Sequence, residues 1–244
     1  AGADEFYAEH GKLMSVRGST NVADVRDCFF ENRTAYAVTE LYDGMDLLTY
    51  LRLRGDCLCA GEAAFLLRQL TDGLIVIHSL SMQHGDISAR NVFLVKNGPA
   101  KLIDFGAARP YLADEPVRQD GTADGPWTDI RALGETVYYA CTGCRAPGPD
   151  AAAGTLTPLP APLRATLLPM LTDDPRARFA TVFELLHAVN GIDVPAVRPE
   201  LPEDSVERYA LTLGAEREQL LQNRRIALVC GVIALLLAGL LLYL

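Results

Sequence analysis

The chain ends in nineteen consecutive uncharged residues, IALVCGVIALLLAGLLLYL, at positions 226–244. A helix of that length measures about 28 Å, close to the hydrocarbon thickness of a bilayer. Arg224 and Arg225 directly precede the run, and basic residues favour the cytoplasmic side of a membrane. The pattern therefore predicts a single C-terminal transmembrane helix, with the preceding part of the chain in the cytoplasm. The alternative is a buried core helix, although such helices are seldom apolar on every side.

Four small residues recur along one face of this predicted helix. Ala227, Gly231, Ala234 and Ala238 follow one another at spacings of four, three and four. Small side chains let two helix backbones approach closely in lipid, so this face offers a surface for a homodimer. The alternative is a lipid-facing scatter of alanines with no role in association.

The charge balance excludes one class of function. The chain has 22 Lys and Arg against 31 Asp and Glu, a net charge of -9, and it contains no basic run. Binding to nucleic acid needs a concentrated basic surface, so no nucleic-acid partner is expected. The 6 cysteines are too few for a disulfide-built scaffold and favour a reducing compartment. The first residue is Ala1 rather than Met, as expected of a piece of a longer reading frame.

Ahead of the apolar run, the chain divides into a body and a connector. Residues 191–205 are rich in proline and lack an apolar period, which indicates a linker or an extended packing segment. Residues 206–224 are charged and compatible with a helix, as expected of a juxtamembrane stalk. We therefore expect a folded body at 1–190, a linker and juxtamembrane segment at 191–225, and the membrane helix at 226–244.

Strands are predicted early in the body, and helices dominate later. A helix is expected at 4–16, followed by strands at 25–30 and 34–40 around a turn at 31–33. Capping residues and apolar periods predict further helices at 46–54, 62–80, 127–141, 162–171 and 179–189. After the second of these, the apolar runs NVFLV and AKLID flank the sequence Lys-Asn-Gly-Pro, which predicts a hairpin.

Acidic and amide side chains lie at both ends of that hairpin. The sequence HGDISARN at 84–91 leads into its first strand, and LIDFG at 102–106 closes its second. Because a hairpin brings its ends together, Asp86, Asn91 and Asp104 should converge. Carboxylate and amide oxygens are hard ligands that suit Mg²⁺ with phosphate better than they suit Zn²⁺.

These two motifs, in this order, resemble the catalytic loop and metal-binding turn of protein kinases, H-R-D-L-x-x-x-N followed by D-F-G. The resemblance covers about residues 4–190. In detail, the sequence is similar to bacterial membrane-anchored serine/threonine protein kinases. It implies an α+β protein kinase-like fold, with an incomplete N-lobe at 1–44 and a mostly helical C-lobe at 45–190. The implied reaction is transfer of the ATP γ-phosphate to a hydroxyl of a protein substrate that the sequence does not identify.

The resemblance also implies roles for individual residues. Asp86 would act as the base for the substrate hydroxyl, while Asn91 and Asp104 would bind Mg²⁺. Glu9 would be the helix glutamate that pairs with a phosphate-binding lysine, although an ordinary surface acid is the alternative. The strand and hinge that hold the adenine of ATP would include Thr39 at the gatekeeper position, Glu40 and Tyr42.

Four further residues correspond to structural positions of the family. His84 would lie buried against the D-F-G turn, and Asp129 would brace the backbone of the catalytic loop. Glu115 and Arg178 would form a buried ion pair between the activation segment and the late C-lobe helices.

Several departures from the family pattern leave two functions open. No G-x-G-x-x-G loop and no V-A-I-K-like strand occur in the sequence. Gly85 and Ser88 replace the arginine and lysine of the usual catalytic loop, and only residues 107–112 separate Gly106 from an A-P-E-like sequence at 113–115. Without a phosphate-binding loop and lysine, transition-state charge is poorly stabilised, so the chain as given is expected to be inactive. One hypothesis is a serine/threonine kinase; the other is a pseudokinase that acts as a membrane-tethered binding or scaffolding module.

Two cysteine pairs raise a separate hypothesis. Cys57 and Cys59, together with Cys141 and Cys144, could supply four thiolates to a structural zinc ion. The C-x-C spacing of the first pair and the position of the second at a predicted helix end favour small packed thiols instead.

Overall fold

The computed structural model describes residues 11, 14, 17–32, 34–104, 109–110, 125–146, 154–204, 207–215 and 218–219. The chain divides into two compact units, Ala1–Pro202 and Glu203–Leu244.

The first unit has the predicted α+β composition, with small sheets early in the unit and helices later. Its strands are β1 (Val25–Glu31), β2 (Thr34–Thr39), β3 (Gly44–Asp46), β4 (Met82–Gln83), β5 (Val92–Val95), β6 (Ala100–Leu102) and β7 (Arg109–Pro110). Its helices are α1 (Leu47–Arg54), α2 (Ala60–Ser79), α3 (Pro126–Thr142), α4 (Ala161–Leu171) and α5 (Val182–Asn190), with a 3-10 turn at Pro175–Ala177. The five helices predicted between 46 and 189 are therefore confirmed, with ends displaced by at most three residues.

Strands β1 and β2 form an antiparallel hairpin around the predicted turn. Glu31 pairs with Thr34, and Asn32 takes a left-handed backbone with a φ of 50°. Phe29 and Tyr36 stack across the two strands with their ring centroids 5.0 Å apart. Both rings remain partly exposed, so this hairpin stands at the surface rather than in the core.

A second sheet, with the strand order β3-β5-β6, carries the predicted β5–β6 hairpin. Val92 pairs with Leu102 across the hairpin, and Asn97 in its turn has a φ of 54°. Strand β3 approaches β5 so closely that a Cβ on Gly44 would lie 2.0 Å from the carbonyl oxygen of Leu94. This approach requires glycine at position 44.

Strand β3 passes directly into α1 through a helix cap. The carboxylate of Asp46 accepts hydrogen bonds from the backbone N–H and the hydroxyl of Thr49, both at 2.8 Å. Gly55 ends the helix in a left-handed conformation. Such caps satisfy backbone groups that the helix leaves unpaired, so the strand and the helix are joined at a fixed angle.

The apolar core forms around α2. This helix is buried along most of its length, and it packs against both α3 and α5. Helix α3 in turn packs on α4, where a Cβ on Gly134 would lie 2.7 Å from the Cβ of Met170. The fully buried side chains of these helices include Leu66, Leu67, Leu70, Leu74, Ile130, Leu133, Leu163 and Leu185.

Residues 192–198 pack along α2 instead of leaving the first unit. The guanidinium of Arg68 donates to the carbonyl oxygens of Ile192 and Val194, at 2.7 and 3.1 Å. Val197 donates its backbone N–H to the carbonyl oxygen of Gly61. Of the two alternatives for this proline-rich segment, the structure shows extended packing over these residues.

The predictions for the two ends of the chain lie largely outside the described residues. Of the helix predicted at 4–16, only Gly11 and Met14 are described, and both are helical. In the second unit residues 207–215 are helical, and Arg208 pairs with Asp204 at 2.7 Å. The predicted membrane helix at 226–244 falls outside the description. Among the helices that are described, none is long and apolar enough to cross a membrane.

The buried side chain of Gln83 in β4 is polar. Gln83 is fully buried, and within the described structure its Oε1 and Nε2 atoms have no hydrogen-bond partner. An unpaired buried polar group costs about 1–3 kcal/mol. The side chain of Gln83 therefore lowers the free energy of unfolding of the domain.

We expect Gln83→Leu to raise the free energy of unfolding by about 1 kcal/mol or more, because the substitution removes unpaired polar atoms from the core. Urea unfolding followed by circular dichroism measures the change. The matched control is Asn21→Leu, since the amide of Asn21 donates to both Gln69 and Ala100 and its loss should destabilise the fold. A loss of stability in Gln83→Leu similar to that in the control would contradict the prediction.

Candidate active site

The candidate site is built where the ends of the β5–β6 hairpin meet. The backbone N–H of Ile103, just after β6, donates to the carbonyl oxygen of Asn91, just before β5, at 3.0 Å. This bond places Asp104 next to Asn91. The convergence predicted from the sequence therefore follows from the register of one hairpin.

Asp86 and Asn91 are joined directly. The amide nitrogen of Asn91 donates to the Oδ2 atom of Asp86 at 2.9 Å and to its backbone carbonyl oxygen at 2.8 Å. Asp86 is exposed, whereas Asn91 is only 8 % exposed. The buried amide thus fixes the direction of an accessible carboxylate.

A single buried carboxylate on α3 holds the loop that carries Asp86. Asp129 is 1 % exposed, and it accepts hydrogen bonds from the backbone N–H groups of His84 and Gly85 at 2.8 and 3.0 Å. Its Oδ2 atom also lies 2.9 Å from Nε2 of His78 on α2. Asp129 therefore ties the loop to the two central helices.

The imidazole of His84 is fully buried beneath this loop. Its Nδ1 atom accepts the backbone N–H of Asp86 at 3.3 Å, and its Nε2 atom lies 3.1 Å from the carbonyl oxygen of Ile103. Burial lowers the pKa of His84, although the charges of Asp129, Asp86 and Asp104 oppose that shift. A neutral ring with its proton on Nε2 satisfies both contacts. His84 thus connects the two ends of the hairpin and positions Asp86.

Asp104, after β6, and Asn91, before β5, carry oxygen atoms that suit a hard divalent cation. Asp104 is exposed and has a left-handed backbone, with a φ of 62° that few residues other than glycine adopt. In phosphate-transfer sites Mg²⁺ is held by one or two protein oxygen ligands together with substrate phosphates. The carboxylate of Asp104 and the amide oxygen of Asn91 meet that requirement.

The segment after β2 is held in place by contacts with Asp24 and Arg26. Glu40 donates its backbone N–H to the carbonyl oxygen of Asp24, and its carboxylate pairs with Arg26 at 2.9 Å. The hydroxyl of Tyr42 accepts the backbone N–H of Asp24 at 3.1 Å, and burial raises the pKa of Tyr42. Thr39 pairs with Val25 at the end of β2. The three residues predicted to hold adenine therefore lie on one short segment.

Two residues close to the Tyr42 ring were not predicted from the sequence to belong to the site. The ring of Phe93 on β5 lies 6.4 Å from that of Tyr42, and the ammonium of Lys101 on β6 lies 4.9 Å from the Tyr42 ring centroid. Lys101 also donates to the carbonyl oxygens of Ser19 and Val22, and burial lowers its pKa. Lys101 could have been noticed because it stands in the apolar run AKLI. Buried lysines are rare unless they are paired, so a lysine in such a run indicates a specific partner.

Arg178 is buried, but the contacts described for it are with backbone carbonyls. Its guanidinium donates to Thr172 at 2.6 and 3.3 Å and to Trp127 at 3.1 Å. The predicted partner Glu115 lies outside the described residues, as does Glu9. The Glu115–Arg178 ion pair and the role of Glu9 remain predictions.

The cysteine pairs do not form a metal centre. In the part of the chain that is described, no group of three or more His, Cys, Asp or Glu side chains is arranged to hold a metal ion. Burial raises the pKa of Cys141 to about 12. Because the four described cysteines are not arranged around a common metal position, the zinc hypothesis is wrong for these residues.

Comparison with known proteins assigns the family. The family model of the protein kinase domain matches residues 2–144, more than half of the chain. The chain belongs to the protein kinase family. This match includes every predicted site residue except Arg178, which lies beyond it.

Individual relatives agree with this assignment. Human serine/threonine-protein kinase Nek5 is 34% identical over 147 residues, which are 53% of this chain and 21% of the relative. Serine/threonine-protein kinase PknA of Mycobacterium tuberculosis is 32% identical over 143 residues, 52% of this chain and 32% of the relative. The death-associated protein kinase dapk-1 of Caenorhabditis elegans is 28% identical over 148 residues, 54% of this chain and 10% of the relative. The matched part of the kinase chain thus spans a third or less of these relatives.

In this kinase domain, we expect Asp129→Ala to lower the free energy of unfolding by at least about 3 kcal/mol. The substitution leaves the buried donors of His84 and His78, and the half-buried N–H of Gly85, without their acceptor. Each unpaired buried donor costs about 1–3 kcal/mol. Chemical unfolding measures the loss. Asp173→Ala is the matched control, because the side chain of Asp173 is 71% exposed and its ion pair with Arg131 should contribute less than about 1 kcal/mol. Equal losses in the two variants would show that Asp129 does not brace the loop.

Proposed function

We propose that this domain transfers the γ-phosphate of ATP to a serine or threonine hydroxyl of a protein substrate. The observation that carries the proposal is the hydrogen-bonded pair of Asp86 and Asn91 beside Asp104. An accessible carboxylate fixed next to two oxygen ligands for a cation is the arrangement that phosphoryl transfer requires.

Each of these residues has a defined task in the proposed reaction. The Oδ2 atom of Asp86, directed by Asn91, orients the substrate hydroxyl and accepts its proton. The amide oxygen of Asn91 and the carboxylate of Asp104 would hold Mg²⁺. When bound, Mg²⁺ supplies positive charge that offsets the developing charge on the transferred phosphoryl group.

The segment at 39–42 would hold the adenine ring. The backbone carbonyl of Glu40 would accept from adenine and the backbone N–H of Tyr42 would donate to it, while the N–H of Glu40 remains bonded to Asp24. The position of Phe93 beneath Tyr42 supports an apolar floor for the ring. Thr39, at the end of β2, would then border the inner side of this pocket.

Because no Gly-rich loop and no lysine strand occur in this sequence, phosphate transfer is expected to be slow. The proposal predicts that Asp86→Ala lowers this slow transfer by about 100-fold or more, since general-base catalysis contributes at least that factor. The full chain is incubated with Mg²⁺, radiolabelled ATP and casein as a general acceptor. Asp193→Ala, which removes an exposed acid far along the sequence from the site, should leave the rate unchanged.

Nucleotide binding measured on the same samples separates the two hypotheses for this chain. Binding of Mg·ATP that Asp104→Ala weakens, together with no transfer by the wild-type chain, would favour the pseudokinase. Equal transfer by the wild type and Asp86→Ala would contradict the proposed mechanism.

We further propose that residues 226–244 anchor the domain to a membrane. Support comes from the nineteen uncharged residues and the adjoining Arg224 and Arg225. The kinase domain would then act from the cytoplasmic face on substrates that reach the membrane surface.

This anchor predicts that the full chain remains in the membrane pellet after carbonate extraction of cells. Leu236→Arg should move it to the soluble fraction, because a charge at the centre of a span costs about 2.5–3.5 kcal/mol. Leu211→Arg, at an exposed position in the helix at 207–215, should not. A wild-type chain found mainly in the soluble fraction would contradict the anchor.

A further inference from the structure

A groove lies directly beside the candidate catalytic loop. Its volume is about 390 Å³, within the range of about 300–1,000 Å³ that is usual for ligand sites. Ile87, Ser88 and Ala89, which follow Asp86, line it together with residues of α3. Arg145 and Ala146, just beyond α3, also line it.

Hydrogen bonds fix the position of the groove relative to Asp86. The hydroxyl of Thr136 on α3 lies 3.4 Å from the carbonyl oxygen of Ile87, whose side chain is buried. Ala89 accepts the backbone N–H of Leu48 on α1 at 2.9 Å. An extended chain advances about 3.3–3.6 Å per residue. A substrate with its hydroxyl at Asp86 therefore reaches the groove within a few residues.

Along the groove, the described acidic side chain is paired, whereas the described arginine is exposed. Among the described residues that line it, the one acid is Glu135. Glu135 is paired with Arg131 at 2.7 Å, and Arg131 also pairs with Asp173 at 2.8 Å. Arg145 lines the groove and is exposed. The lining therefore presents positive charge, on a chain whose net charge is -9.

The rest of the lining is largely apolar. Ala89, Ala132 and Tyr139 contribute aliphatic and aromatic surface. Such a surface gains free energy by excluding water from an apolar side chain. The occupant that fits both properties carries a carboxylate beside an apolar residue.

We propose that this groove binds an acidic segment of the protein substrate, a few residues from the hydroxyl that accepts phosphate. The inference rests on the proposed function for the identity of its ligand, because it takes the ligand to be the phosphate acceptor. Arg145 attracts the carboxylate, and the lining from the catalytic loop and α3 holds the adjoining apolar side chain. The domain thus selects acidic substrates rather than basic ones.

The test uses three fluorescein-labelled peptides that share one serine and one leucine and differ only in their flanking residues: glutamate, glutamine or lysine. Fluorescence anisotropy with the full chain should show that the acidic peptide binds about fivefold more tightly than the neutral one, as expected for an exposed ion pair. Arg145→Glu should abolish this preference, and Arg145→Lys should retain it. Arg176→Glu, an exposed position that does not line the groove, should leave it unchanged.

Equal binding of the three peptides, or a preference that survives Arg145→Glu, would overturn the inference. Thermal unfolding of each variant checks that Arg145→Glu retains the fold, as its exposure predicts. Phosphate transfer to the same peptides separates this inference from the proposed function. Acidic preference in binding without transfer supports the groove but contradicts the kinase reaction. Transfer without any preference in binding or rate supports the reaction but overturns the groove.

Discussion

The buried carboxylate of Asp129 is the contact on which the candidate active site depends. It accepts the backbone N–H groups of His84 and Gly85 and lies against His78, so one side chain joins the catalytic loop to α2 and α3. A buried charge is stable only when its hydrogen bonds are satisfied, and here three donors surround it. The geometry of Asp86 therefore depends on how α2 and α3 pack in the helical core.

Helix α3 connects the proposed catalytic residues with the proposed selection of substrates. Its first turns carry Asp129 under the catalytic loop, and its later turns line the groove with Thr136 and Tyr139. Its packing on α4 requires Gly134, because a larger side chain would meet Met170. The same helix thus sets both the position of Asp86, the proposed base, and the surface beside it. A displacement of α3 would alter both at once.

Local patterns allowed much of this to be predicted. The five helices from 46 to 189 follow from apolar period and capping residues, and the β5–β6 hairpin follows from two apolar runs around a turn. The proximity of Asp86, Asn91 and Asp104 follows from that hairpin. The interactions of Lys101, the unpaired amide of Gln83 and the carbonyl partners of Arg178 could not be predicted. Each depends on segments distant in sequence, which no local pattern specifies.

The sequence by itself determined the family motifs, the order of helices and strands, and which polar residues form the candidate site. Residue type and short-range spacing are sufficient for these properties. Only the tertiary structure decided that residues 192–198 pack on α2, that the cysteines form no metal site among the described residues, and that Glu135 is paired while Arg145 is exposed beside the catalytic loop. The physical reason is that burial and ion pairing arise between elements far apart along the chain. The charge of a surface is therefore set by the fold, not by composition.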